Sequence, residues 1–96
     1  MTGGVARAAR VDPSGRFAEG EAVGYAGEDL IAWGAPEEVL RQVLEAVCVE
    51  AEVVTCIAGE DAPLPAGAVE PLVPEGVELD LHQGGQPSWW WLLAAE

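Results

Sequence analysis

Val53 to Ala58 is a run of six residues with high strand preference or small size and no charge. Such a run predicts a strand buried on both faces, as in the middle of a sheet. It stops at Gly59, and two carboxylates, Glu60 and Asp61, follow at once. Downstream, Val77, Leu79 and Leu81 alternate with Glu78, Asp80 and His82, which predicts a half-exposed strand over 77–82. The intervening stretch carries Pro63, Pro65, Pro71 and Pro74, which forbid a long helix and leave room for one turn over 66–70. A strand, a crossing segment and a second strand in one sheet are expected to run parallel.

Upstream, Val39, Leu40, Val43, Leu44 and Val47 recur at helical spacing, with Arg41, Gln42 and Glu45 off the stripe. Pro36 suits the first helical position, and Glu37 and Glu38 complement the macrodipole there. Short strands are expected over 5–11, 22–26 and 30–33, joined as an antiparallel meander. Asp12-Pro13-Ser14-Gly15 has the residue order of a type I turn. Gln83 to Pro87 reverses the chain, and a last strand over 88–95 is expected to run antiparallel to its predecessor. The pattern describes a small α/β domain, with α+β as the alternative. Its mixed sheet has an N-terminal meander, one main helix, a βαβ-like parallel pair and a C-terminal hairpin strand.

Composition narrows the function classes. A chain of 96 residues makes one domain, and with half its residues apolar it has enough for a core. There is no lysine; Arg7, Arg10, Arg16 and Arg41 face 17 carboxylates, for a net charge of −13. That balance disfavours nucleic acid and anionic membrane, whose binding rests on Lys and Arg, and favours a basic protein surface. Acidity that serves only solubility is the plainer alternative. No apolar run reaches the length of a membrane span, and the N-terminus lacks the parts of a secretory signal, so a cytoplasmic location is expected. Cys48 and Cys56 match no zinc spacing and read as small buried hydrophobes.

If the strands over 53–58 and 77–82 are parallel neighbours, Glu60, Asp61, His82, Gly84, Gly85 and Gln86 gather at one end of the sheet. Strand ends of this kind are where ligands and partners meet open α/β sheets, and glycines there allow close backbone approach. The same residues also suit plain turn and capping roles. Glu78, Asp80 and His82 share a strand face that could hold a metal, or serve as an ordinary solvated face; no metal site is expected. Trp89, Trp90 and Trp91 must show themselves to both faces. Trp89 and Trp91 suit the core, and Trp90 is a candidate partner contact. No nucleophile–base arrangement, Walker sequence or dinucleotide fingerprint occurs. Gly84-Gly85-Gln86 also matches the tripeptide of peptide-chain release factors, but a chain at −13 lacks the basic footing for ribosomal RNA.

Val54-Thr55 through Gly59-Glu60-Asp61, then a crossover, a strand, His82-Gln83-Gly84-Gly85-Gln86-Pro87 and a closing strand to Glu96, resembles one family. The chain is similar to the C-terminal domain of the bacterial fatty-acid kinase catalytic subunit, a relative of dihydroxyacetone kinases. Arg10, Gly15, Glu19-Gly20-Glu21, Gly24 and Ile31-Ala32 fall in the order of that domain, and the resemblance runs from Val5 to Glu96. It departs in the proline-broken stretch after Asp61, and in Trp89-Trp90-Trp91 where the family favours a tyrosine and a proline.

The resemblance implies a non-catalytic, partner-binding domain excised from a larger protein. ATP and magnesium would belong to the kinase domain of that parent, and this chain would carry no cofactor. Its partner would be a fatty-acid-carrying protein. Two other classes stand beside it: a small-molecule or metal-binding enzyme using the Asp61 and His82 strand ends, and a dimerisation module in which the Trp strand pairs with its symmetry mate.

Overall fold

The apolar stripe of the helix finds its partner in one face of a six-stranded mixed sheet. The computed structural model describes residues 1–96. Strands β1 (Thr2–Arg7), β2 (Ala22–Ala26) and β3 (Asp29–Gly34) precede helix α1 (Pro36–Val47), and β4 (Val53–Ala58), β5 (Glu78–Gln83) and β6 (Trp89–Ala95) follow it. Their order across the sheet is β3-β2-β1-β6-β4-β5. The β4–β5 pair is parallel, and the other neighbours are antiparallel. The expected α/β class, meander, main helix and parallel pair are all present.

Val39, Leu40, Val43, Leu44 and Val47 are all buried, as their spacing predicts. They lie close to the sheet because two strand positions facing them have no side chain. A Cβ on Gly24 would come within 2.7 Å of Val39, and one on Gly3 within 2.9 Å of Val47. Toward β4 and β5 the same face is covered by the proline-rich crossover. Two 3₁₀ turns, Ala66–Ala68 and Glu70–Leu72, set Val69 into the core at 1% exposure.

Three details differ from the sequence expectations. The first strand begins at Thr2 and ends at Arg7, where a strand over 5–11 is expected. Residues 8–21 form a loop, pinned by Asp12, whose carboxylate accepts hydrogen bonds from the Ser14 and Arg16 backbone and from Arg16 Nε. β4 is covered on one face only: Val54, Cys56 and Ala58 are buried, whereas Val53, Thr55 and Ile57 are half-buried. The cause is that no helix crosses the second face of the sheet. Finally, β6 runs opposite to β5 but does not form a hairpin with it. It passes β4 and inserts between β4 and β1, so both its edges are hydrogen-bonded. No helix is long and apolar enough to cross a membrane.

Candidate docking rim

Parallel pairing in register, from Val53 opposite Glu78 to Ala58 opposite Gln83, sends both strands out at the same end of the sheet. There the three tips are laced by backbone hydrogen bonds. Gly84 and Gly85 N–H both donate to the Ala58 carbonyl, at 2.9 and 3.3 Å. Glu60 N–H donates to Gln86 O at 3.0 Å, and Gly59 N–H donates to Trp90 O at 2.7 Å. The rim is therefore built from main chain, and side chains project from a fixed frame.

Close approach explains two of the glycines. A Cβ on Gly59 would run into the Trp89 carbonyl and lie 2.9 Å from the Gln86 carbonyl. One on Gly84 would run into Ile57 and the Gln86 side chain. Gly85 takes φ +70°, the left-handed region that glycine accepts without strain. Gln86 is half-buried, and its amide is occupied: Nε2 donates to Ile57 O at 3.0 Å and to Trp89 O at 3.3 Å. It fastens the turn to β4 and β6.

Glu60 and Asp61 are exposed and form no ion pair, so their carboxylates are free for a partner. His82 stands slightly apart, on the exposed face of β5, with Nε2 3.1 Å from an oxygen of Asp80. Glu78 shares that face, but no group of three His, Cys, Asp or Glu side chains is placed to hold a metal ion. Trp90 does not project from the rim. It is 8% exposed, with its ring edge-to-face on Trp91 at 6.2 Å, and only its backbone carbonyl takes part in the lacing.

The reason is a β-bulge. Val5 pairs with Trp91 and Ala6 with Trp89, which leaves Trp90 as the extra residue. A bulge breaks strict alternation, and both Trp90 and Trp91 join the core while Trp89 remains on the open face. Burial raises the thiol pKa of Cys48 and pushes that of Cys56 up to about 12, so neither is a ready thiolate nucleophile.

Sequence reasoning missed a groove on the open face of the sheet. It has a volume of about 570 Å³ and is floored by Ala6, Val23, Tyr25 and Trp89. Tyr25 and Trp89 meet edge-to-face at 5.8 Å. Phe17 from the 8–21 loop and the Arg7–Arg10 segment add to its walls. The groove reaches the same end of the sheet as the rim, since Arg7 closes β1 where Trp89 opens β6. Its one legible signal is the Ala6-Arg7-Ala8-Ala9-Arg10 run, whose small residues at Ala6, Ala8 and Ala9 leave space along the groove. Neither protein-family models nor curated protein sequences give a match to this chain.

Proposed function

We propose that this chain is a non-catalytic docking domain of a fatty-acid-kinase-like protein. In this reading it holds a fatty-acid-carrying protein for phosphorylation by an ATP- and magnesium-binding domain of the same parent. The observation that carries the reading is the rim: free carboxylates of Glu60 and Asp61 beside a Gly-Gly-Gln turn fixed by main-chain bonds. A preformed, rigid surface loses little entropy on association, and its charge selects a basic partner face. The Gly-Glu-Asp and Gly-Gly-Gln-Pro segments that carry the family resemblance are the segments brought together there.

For the enzyme alternative, the polar contact of His82 is Asp80 on its own strand, and no group of three His, Cys, Asp or Glu side chains is placed to hold a metal ion there. Dimerisation through the edge of the Trp strand is closed off, since β6 is an interior strand. The test is titration of the acyl-loaded carrier against this chain and against Glu60→Lys/Asp61→Lys. Charge reversal is expected to weaken binding at least about tenfold, the scale of one lost charge-assisted contact, with the circular dichroism spectrum unchanged. Equal affinity in a folded variant would remove the rim from the interface.

A further inference from the structure

The sheet ends in two edge strands, β3 and β5, and the chain guards only one of them. At β3 a bulge leaves Ile31 without an opposite residue, and Gly34 closes the strand at φ +125°. A bulge of this kind twists an edge away from a pairing strand. β5 has no such device. Its register with β4 is unbroken from end to end, and no further strand lies beyond it.

The main chain along that outer side is unpaired. Glu78 N–H donates to Glu52 O and Gly84 N–H to Ala58 O, both at 2.9 Å, so Asp80 and His82 between them also face β4. Alternation in a parallel ladder then turns the N–H and C=O groups of Leu79 and Leu81 outward. Their side chains are half-buried at the margin of the core, as are Leu72, Val73 and Val77 just upstream. Glu78 and Asp80 are exposed on the opposite face. A recess of about 370 Å³ at the start of β5 adds Glu70 and Glu75 beside Glu78. No lysine or arginine follows Arg41 in the chain, and the imidazole of His82 already lies against Asp80.

We propose that the β5 edge accepts an extended segment of another protein as an added strand, its basic residues beside Glu78 and Asp80 alternating with apolar residues beside Leu79 and Leu81. In such pairing the main-chain bonds supply affinity and the alternate side chains supply the choice of partner. Carboxylates along the edge repel a second copy of this acidic chain and admit a basic strand. The surface runs along the flank of the sheet, does not include Glu60 or Asp61, and stands or falls separately from the docking rim.

Nuclear magnetic resonance of the whole chain, titrated with a short synthetic peptide alternating lysine and valine, provides the test. With peptide at about ten times its dissociation constant, amide exchange at Leu79 and Leu81 is expected to slow by about tenfold, while the β3 amides keep their rates. A peptide of the same composition, with its lysines and valines in separate blocks, carries the same charge and is expected to bind at least about tenfold more weakly. Glu78→Lys/Asp80→Lys, two exposed positions, is expected to weaken the alternating peptide by a similar factor. At matched saturation, Glu60→Lys/Asp61→Lys is expected to leave the protection of Leu79 and Leu81 in place. Equal binding of the two peptides would reduce the effect to bulk charge and overturn the proposal. Unchanged exchange at Leu79 and Leu81 under saturating peptide would overturn it too. Slowing of those two amides with rising concentration of the chain alone would assign the edge to a second copy, with the same consequence.

Discussion

Position 59 admits only glycine, because the Trp89 carbonyl occupies the space a Cβ would need. Backbone cannot move aside as a flexible side chain can, so Gly59→Ala is expected to cost at least about 1–3 kcal/mol in a urea denaturation series. Gly67 supplies the contrast: its backbone is ordinary, and a Cβ there would have nothing within 4 Å. Gly67→Ala is expected to be neutral or to stabilise by about 0.4–1 kcal/mol through the unfolded chain. Equal effects at both positions would mean that the close contact at Gly59 carries no energy. Asp12 makes a second residue-scale case. Its hydrogen bond from Arg16 holds the carboxyl below its ordinary value of 3.8, with the Ser14 and Arg16 amides assisting. A lowered folded pKa contributes stability above the unfolded value, and this is lost as pH falls through the folded one. The wild-type chain should therefore lose more stability than Asp12→Asn between about pH 5 and the acid limit, and parallel acid-unfolding curves would refute this. The Asp12 turn is legible in the sequence because its partners lie within four residues. The reason for Gly59 is not, since the atom that excludes a side chain there belongs to Trp89, far along the chain.

At the level of elements, local pattern and pairing partner separate in the same way. Helix α1, β2 and β4 fall where periodicity and strand preference place them, since each is specified by its own residues. β1 starts earlier than its pattern predicts because Gly3 and Gly4 look like a loose terminus. They are strand residues whose missing side chains make room for Val43, Val47 and Trp89. The insertion of β6 between β1 and β4 is a nonlocal choice that no window of residues encodes, and its bulge defeats a strict period of two. The bulge also redistributes the tryptophans. Trp90, a surface contact by alternation alone, is a core residue, so Trp90→Ala is expected to destabilise by about 3–5 kcal/mol. Against a total of about 5–15 kcal/mol for a domain, that change is severe. The half-buried Trp89 should cost less when truncated. A Trp90→Ala chain that keeps its denaturation midpoint and loses only partner affinity would return this ring to the surface role.

For the molecule as a whole, the governing quantities are a net charge of −13 and dimensions of 37 × 25 × 19 Å. At an ionic strength of about 0.01 M the Debye length is about 30 Å, so nearly every carboxylate repels every other across the fold. At about 0.15 M it is about 8 Å, and only neighbours interact. The compact state concentrates this repulsion more than the unfolded chain does, so the melting temperature is expected to rise over that range of salt. Association has the opposite slope. A basic partner drawn toward Glu60 and Asp61 is steered by the same long-range field, and screening should slow its on-rate while the domain itself becomes more stable. Stopped-flow binding and thermal melts across one salt series measure both slopes on the same preparation. Opposite signs mean that the acidic surface serves recognition at some expense to the fold. An on-rate indifferent to salt, beside a rising melting temperature, would leave the excess charge a role in solubility alone and deprive the rim of its electrostatic contribution to docking.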